Sequence, residues 1–340
     1  MEKSEMKEKK YSLSLFEQIK EHDELPPQEY IWRSITPGSL GFIYGPSKSG
    51  KTTFCENLGM SIAYGGKDYF GAEIKYDEPS KVLFISMEEY WRQRTERNKK
   101  QISQFDVPEE LRDNYVVVNE NFPRIFIGSD ELKNRLQEII DEVKPKVVFI
   151  DSMTRMATKD IEDSTVSGEI GVALRELANE NEVAIVVIHH THKMNGKQIT
   201  IDSLAGSRVL AQEADYMIGI NRTGSGIRYY KEVATRYGQE KEDVIVFDID
   251  ENQWLSPTNE VPEDTALNFK KRDGRKNPDK HEPVIRVLKD AYTTSTSLSK
   301  AEIVSKLEGK LCSSSTYELL NELEDQGRIT NMRGRISLNP

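Results

Sequence analysis

Apolar and polar positions alternate regularly between Tyr30 and about Ser256, and this pattern predicts the architecture of that region. Short, mostly apolar runs predict buried strands, and amphipathic stretches such as Ser129–Val143 and Ser164–Asn181 predict helices between the early strands. Strands that alternate with helices form a mostly parallel sheet covered by helices, so we predict an α/β fold. The last strands are close together in the chain, which predicts an antiparallel extension. The predicted strands are Gly41–Tyr44, Val82–Ser86, Tyr115–Asn119, Val147–Asp151, Ala184–His189, Tyr216–Ile220, Gly226–Ala234 and Val244–Ile249.

We predict that residues 29–256 form one domain with this architecture. The segments on either side of that domain differ from it in composition. Residues 1–28 are polar and predict an arm with one short helix near Leu13–Ile19. Residues 257–283 contain four prolines and the basic run Lys270–Lys276, which predicts a linker. Residues 284–340 predict a small domain of winged helix-turn-helix type, because three stretches with helical spacing precede a hairpin. Those three stretches are Glu282–Tyr292, Lys300–Leu307 and Ser314–Asp325.

One motif carries the strongest chemical signal. Residues 45–52 have the pattern G-x-x-x-x-G-K-T, between the apolar run Leu40–Tyr44 and the predicted helix Thr53–Ala63. A loop between a strand and a helix directs main-chain N–H groups at phosphate oxygens, so the motif predicts binding of ATP. Lys51 would reach the β- and γ-phosphates, and the Thr52 hydroxyl would ligate Mg²⁺. The predicted nucleotide-binding residues are Gly45, Pro46, Ser47, Lys48, Ser49, Gly50, Lys51, Thr52 and Thr53.

Polar residues at the ends of three other strands complete this predicted site. Asp151 ends a buried strand, which suits contact with Mg²⁺, in part through water. Glu88 is the first candidate for the group that activates the attacking water, and Glu89 is the second. His189, His190 and His192 cluster at another strand end, where one histidine could sense the γ-phosphate or bind nucleic acid. A metal site is disfavoured there because no Cys or acidic residue follows at ligand spacing.

Composition limits the compartment and the partners. The net charge of −10 argues against a protein that coats nucleic acid by bulk positive charge, but it leaves a local basic channel possible. No stretch approaches the length of a membrane span, and the charged residues Met1–Lys10 predict no secretory signal. The two cysteines, Cys55 and Cys312, show no pairing or metal-binding pattern. We therefore expect a cytoplasmic protein with reduced thiols.

Taken together, these motifs resemble the RecA-like hexameric P-loop ATPases, and among them the RepA-type replicative helicases of plasmids and phages. The similarity rests on the ordered set Pro37–Thr52, Ile85–Glu89, Asp151, His189–Thr191 and Leu204–Asp215. It implies a ring in which Glu88 activates water and His189 or His190 couples phosphate state to DNA. It also implies an arginine finger, which acts in trans. Arg236, within Ala234–Gly238, is the candidate for the finger, and Arg208 is the alternative.

The same resemblance implies that single-stranded DNA passes the loops Met153–Ser167 and His192–Ser203, which carry Arg155, Lys159, Lys193 and Lys197. The C-terminal module could bind DNA or protein. We therefore expect an ATP-driven, ring-forming DNA motor, most simply a replicative helicase of a plasmid, phage or mobile element. Two alternatives remain open: a regulatory or scaffold ATPase that binds DNA without unwinding it, and a RadA-like recombinase.

Overall fold

The computed structural model describes residues 12–25, 27, 30–75, 79–123, 126, 128–156, 163–191, 194, 196–204, 207–236, 242–268, 282–293, 298–307, 313–325, 328–332 and 335–338. The chain forms two compact units, Met1–Phe269 and Lys270–Pro340. The strands of the first unit are β1 (Leu40–Gly45), β2 (Asp68–Tyr69), β3 (Ala72–Glu73), β4 (Val82–Ser86), β5 (Tyr115–Val117), β6 (Val147–Asp151), β7 (Ala184–His190), β8 (Tyr216–Arg222), β9 (Arg228–Thr235), β10 (Asp243–Ile249) and β11 (Leu255–Pro262). Its helices are α1 (Leu15–Asp23), α2 (Lys51–Ala63), α3 (Trp91–Ile102), α4 (Ser129–Val143), α5 (Ser164–Asn181), α6 (Ser207–Glu213) and α7 (Glu263–Asn268).

A nine-stranded sheet forms the centre of the first unit, in the order β11-β10-β9-β8-β1-β7-β6-β4-β5. The six strands from β5 to β8 in this order are parallel, and β9, β10 and β11 extend the sheet in antiparallel fashion. The predicted α/β fold, with a mostly parallel sheet between helices, is confirmed. β2 and β3 form a separate short hairpin.

Both faces of the central strands are buried, which explains their nearly continuous apolar sequences. Leu40, Phe42 and Tyr44 of β1 point into one hydrophobic core, which also contains the buried side chains of α4 and α5. Ile43 points into the other core, which contains the apolar face of α2. Alternate residues of one strand therefore contribute to two cores, as the period of a strand requires.

The parallel register brings the ends of four strands to one edge of the sheet. Ser86 of β4 is paired with Asp151 of β6, and Gly45 of β1 is paired with His190 of β7. Open sheets of this class bind ligands at the carboxyl ends of their strands. We call this edge the carboxyl edge.

Part of the predicted linker, residues 257–283, is ordered structure. Residues 257–262 belong to β11, and residues 263–268 form α7. Pro257 and Pro262 argued against a strand in sequence, but β11 lies at the edge of the sheet, where a missing N–H donor is tolerated. The basic run Lys270–Lys276 lies outside the described residues.

The described part of the arm is mainly α1, which begins at a capping box between Ser14 and Glu17. Its apolar side chains Leu15, Phe16 and Ile19 are exposed. Among the described helices of the whole chain, none combines the length and the apolar character that a membrane crossing demands.

The second unit contains α8 (Glu282–Thr293), α9 (Lys300–Leu307), α10 (Ser313–Asp325) and the antiparallel pair β12 (Ile329–Met332) and β13 (Arg335–Leu338). Its own core includes Val284, Ile303, Leu320 and Ile336. Three helices followed by a pair of strands are the elements that the sequence predicts here. Membership of the winged helix-turn-helix class stays a prediction.

Candidate nucleotide-binding and hydrolysis site

The phosphate loop, Gly45–Thr52, connects the end of β1 to the first turn of α2. Gly45 ends β1, residues 46–50 form the connection, and Lys51, Thr52 and Thr53 begin α2. Gly50 has a φ of 108°, a left-handed conformation that favours glycine. A Cβ atom at Gly45 would collide with the carbonyl oxygen of Ile220 in the neighbouring β8. Both motif glycines are therefore required by the shape of the loop.

Lys51 lies across this loop with its ammonium group buried. Its Nζ donates hydrogen bonds to the carbonyl oxygens of Gly45 at 3.0 Å and Pro46 at 2.9 Å. Burial lowers the pKa of Lys51 to about 8, against the opposing attraction of Asp151 and Glu88. A cation in a loop of main-chain N–H groups at a helix N-terminus is the arrangement that binds phosphate. Lys48, by contrast, is exposed.

The side chains of Thr52 and Asp151, the predicted metal ligands, are in direct contact. Thr52 Oγ1 donates a hydrogen bond to Asp151 Oδ2 over 2.8 Å. Burial raises the pKa of Asp151 to about 6, although the hydrogen bond from Thr52 acts in the opposite direction. A hydroxyl and a carboxylate beside the phosphate loop are hard oxygen ligands, so this pair fits Mg²⁺. Among the described residues, no group of three or more His, Cys, Asp or Glu side chains could hold a metal ion by itself.

Glu88 follows β4 at the carboxyl edge, and its carboxylate faces three side chains from β6 and β7 or just beyond them. Ser152 and Thr154 both donate hydrogen bonds to Glu88 Oε1, and the bond from Thr154 measures 2.9 Å. His190 Nε2 lies 3.6 Å from the same oxygen. The interaction with His190 is the main cause that lowers the pKa of Glu88 to about 2; Ser152 and Thr154 add to it, and burial opposes it. Glu88 is therefore an ionised carboxylate whose orientation is set by Ser152, Thr154 and His190.

Glu89, the second candidate for activation of water, is bound elsewhere. Both of its carboxylate oxygens accept hydrogen bonds from the guanidinium of Arg97 in α3, at 2.8 and 2.5 Å. An ion pair with two parallel hydrogen bonds holds a carboxylate firmly. The geometry therefore favours Glu88 over Glu89 as the group that faces a nucleotide.

The two described histidines of the predicted cluster lie on opposite faces of β7. His189 is fully buried within the sheet, whereas His190 is half-buried and faces Glu88. Of the two, His190 has the position from which a side chain can respond to the phosphate. The role assigned to His189 stays a prediction, and His192 lies outside the described residues.

Arg236, the predicted finger, lies at the opposite edge of the sheet from the phosphate loop. Its N–H donates to Asp215 O at 2.7 Å, and Asp215 N donates to Leu40 O, at the first residue of β1. The loop follows Gly45, five residues further along this strand, which corresponds to about 17 Å. The Arg236 side chain is 47% exposed, donates a hydrogen bond to Gln212 O and lies 3.8 Å from Asp215 Oδ1. Arg236 therefore cannot reach its own phosphate loop.

The other predicted residues are described only in part. Arg208 lies in α6, but its side chain is outside the described structure, as are Tyr237, Gly238, Lys159 and Lys193. Arg155 and Lys197, in the two loops predicted to meet DNA, are exposed. The second of these loops is held by a buried residue, because Glu263 of α7 accepts a hydrogen bond from Ile199 N at 2.7 Å.

Ser152, Thr154 and Arg97 belong to this site although the sequence analysis did not select them. Ser152 directly follows Asp151 and Thr154 lies two residues further, so their proximity to the carboxyl edge was available in the sequence. Arg97 carried no comparable signal.

Known proteins match this chain through one family model and through solved structures. The family model described as the AAA domain matches residues 5–196. No curated protein matches the chain. Among solved structures, the KaiC-like protein PH0186 from the hyperthermophilic archaeon Pyrococcus horikoshii OT3 is similar, with a TM-score of 0.47 and 17% sequence identity. That similarity covers 66% of this chain and 91% of the archaeal one.

Proposed function

Because the chain belongs to the AAA domain family, we propose that it is an ATP-hydrolysing, ring-forming DNA motor of the replicative-helicase type. Its first unit is a RecA-like P-loop ATPase domain. The observation that carries the proposal is the convergence of Lys51, the Thr52–Asp151 pair and Glu88 at the carboxyl edge of the sheet. Cation, metal ligands and an ionised carboxylate are the groups that phosphoryl transfer to water requires.

In this proposal each side chain has one task in hydrolysis. The main-chain N–H groups of the phosphate loop and Lys51 bind the β- and γ-phosphates. Thr52 and Asp151 would hold Mg²⁺, which neutralises charge on the phosphate oxygens when it is bound. Glu88 orients the attacking water and accepts its proton, and His190 lies beside that carboxylate to respond to the γ-phosphate.

The position of Arg236 supports assembly into a ring. An arginine about 17 Å from its own phosphate loop can act only on the site of a neighbouring copy. A contact between two different surfaces of identical subunits is head-to-tail, and such contacts close into rings when the rotation permits. We propose a hexamer with one nucleotide between each pair of neighbours.

DNA is the proposed track because the loops that follow β6 and β7 leave the sheet at the edge where ATP would bind. Arg155 and Lys197 are exposed in these loops, and six copies would concentrate such cations around a central opening. The hydrogen bond from Ile199 to Glu263 connects the second loop to α7, so a movement of the loop would be transmitted to the sheet. We propose that the C-terminal module binds DNA or a protein.

A regulatory ATPase that binds DNA without unwinding it is the second candidate function, because it requires the same nucleotide site.

Strand displacement on a forked DNA duplex tests the proposal. Wild-type protein with ATP should release the displaced strand, and the Lys51→Ala variant should not. ATP turnover by the wild type without displacement would reject the motor and leave the regulatory ATPase. Mass photometry with ATP then separates closed rings from the open filaments of a RadA-like recombinase. Absence of adenine-nucleotide binding in calorimetry would reject every version of the proposal.

A further inference from the structure

Glu56 is a carboxylate buried completely within the first unit. It lies in the second turn of α2, the helix that begins at Lys51, and its side chain has no exposed surface. A buried charge is costly unless it is paired and hydrogen-bonded. Arg97 of α3 provides the pairing, with Nε at 2.6 Å and Nη2 at 2.8 Å from the two Glu56 oxygens. Gln101 Nε2 adds a third hydrogen bond at 3.1 Å.

The same guanidinium also binds Glu89, the residue next to Glu88. Nη1 and Nη2 of Arg97 contact the two oxygens of Glu89 at 2.8 and 2.5 Å. Arg97 therefore connects a carboxylate of the phosphate-loop helix to a carboxylate of the segment that carries Glu88. The side chains of Arg97 and Glu89 are only 18% and 28% exposed, so solvent screens these bonds weakly.

A second arginine on the same face of α3 balances the charge of this cluster. Arg94 is almost fully buried, is attracted by both Glu56 and Glu89, and donates a hydrogen bond to Val118 O at 3.2 Å. Two guanidinium groups and two carboxylates make the cluster neutral overall. Arg94, Arg97 and Gln101 are spaced so that they lie on one side of a helix. α3 therefore packs through a charged face where an apolar face would be usual.

We propose that Arg97 is a positioning residue for ATP hydrolysis, which holds Glu89 against α2 and so fixes the main chain of Glu88 relative to Lys51 and Thr52. This inference rests on the proposed function in one respect, the role of Glu88 in orienting water. Ser152, Thr154 and His190 fix the Glu88 side chain from the other side. Arg97 supplies the complementary restraint, on the backbone.

The restraint depends on the planar guanidinium group of Arg97, whose several N–H donors can bind two carboxylates at once. A lysine at position 97 would keep the positive charge, but its single ammonium cannot bind two carboxylates in parallel. The fully buried Glu56 would keep that ammonium, because its desolvation is the more costly, and Glu89 would be released. Arg97→Lys and Glu89→Gln should therefore have the same effect on catalysis, since both break the two-bonded ion pair that connects the Glu88 segment to α2.

We expect each of the two variants to lower kcat for ATP hydrolysis by about 10- to 100-fold with KM for ATP within about 3-fold of the wild type, because a displacement near 1 Å is that costly. The double variant should be no slower than either single one. Lys100→Met, an exposed change in the same helix, is the matched control and should keep the wild-type kcat. A kcat within twofold of the wild type in Glu89→Gln, or multiplied losses in the double variant, would overturn the proposal.

Amide hydrogen exchange of the nucleotide-free protein gives a second readout that does not depend on activity. Exchange over residues 87–91 should be at least about tenfold faster in Glu89→Gln and Arg97→Lys than in the wild type and Lys100→Met. Unchanged exchange would overturn the inference even if the protein is an ATPase. If the wild type does not hydrolyse ATP, the proposed function fails, but the exchange contrast still decides whether Arg97 restrains this segment. Should Arg97→Lys fold poorly, Glu89→Gln decides alone, because it leaves the Arg97–Glu56 pair in place.

Discussion

At the scale of single residues, the charge of Lys51 is the quantity that nucleotide binding should change most. Its ammonium is buried, and its pKa is lowered to about 8, chiefly by burial. A lowered pKa means that the free protein disfavours the charged form, and phosphates restore it. Binding of a nucleotide should therefore draw a proton onto Lys51 at a pH between about 8 and the higher pKa that Lys51 has in the complex.

We predict that ADP binding at pH 8.5 takes up about three-quarters of a proton per site, because roughly that fraction of Lys51 is neutral beforehand. The measurement is calorimetry in buffers of different ionisation enthalpy, at a pH where the phosphates are fully ionised. Lys51→Arg is the matched control, since arginine is charged throughout this range and should abolish the uptake. Equal uptake by both proteins would show that another group titrates.

Although Glu88 and Glu89 are neighbours in the chain, we expect their substitution by glutamine to lower kcat by different amounts. Glu88→Gln should lower kcat by about 10²–10⁴, the usual contribution of a positioned base, while the affinity for ATP is kept. This is a larger loss than we expect for Glu89→Gln. Because the pKa of Glu88 is about 2, its ionisation cannot produce an acid limb between pH 5 and 7 in the wild type. A stopped assay across that range checks both statements, and full turnover by Glu88→Gln would move the base elsewhere.

At the scale of elements, the sequence predicted what apolar burial determines and missed what charge determines. β4 and β6 were predicted with the bounds they have, since strands buried on both faces are continuous apolar runs. α3 was not predicted, because its buried residues are Arg94 and Gln101, with the partly buried Arg97 beside them, and so it lacks apolar periodicity. β11 was assigned to a linker on account of its prolines, which only its position at the sheet edge makes acceptable.

The residues of the candidate site also fall into those that the sequence predicts and those that it does not. Lys51, Thr52 and Asp151 follow from a motif whose spacing reflects the geometry of one loop and one strand end. The pairing of Arg97 with Glu56 joins residues 41 positions apart, and it depends on the approach of two helices. No local pattern in the sequence encodes that approach, so the pairing is visible only in the folded chain.

The anchor of the loop after β7 is an element-scale feature with a measurable contribution to stability. Glu263 is buried and accepts hydrogen bonds from Lys231 Nζ, from Tyr229 OH at 2.6 Å and from Ile199 N. Lys231→Met should lower the free energy of unfolding by about 3–5 kcal/mol, because it leaves a buried carboxylate without its counter-ion. The double variant Lys231→Met/Glu263→Gln should recover part of that loss in chemical denaturation. A double variant less stable than Lys231→Met would contradict the pairing.

At the scale of the whole molecule, the sheet itself separates the two halves of the proposed active site. The phosphate loop and Glu88 lie at the carboxyl edge, and Arg236 lies at the other edge, bonded to Asp215, which is in turn bonded to Leu40. In the proposed function a monomer would therefore be incomplete, and a head-to-tail contact would complete it. The net charge of −10 does not conflict with a DNA track, since a ring gathers local cations such as Arg155 and Lys197 in one place.

Mixing two inactive variants tests this separation. Arg236→Ala should bind ATP but not hydrolyse it, and Lys51→Ala should retain a working finger. In an equal mixture, half of the neighbours supply Arg236 and half of the loops supply Lys51, so about a quarter of the interfaces are complete. ATP turnover should therefore return to about a quarter of the wild-type rate. The double variant Lys51→Ala/Arg236→Ala is the control, because adding it to either single variant completes no interface. Mixed rings that form, as seen by mass photometry, but remain inactive would mean that Arg236 does not act across subunits.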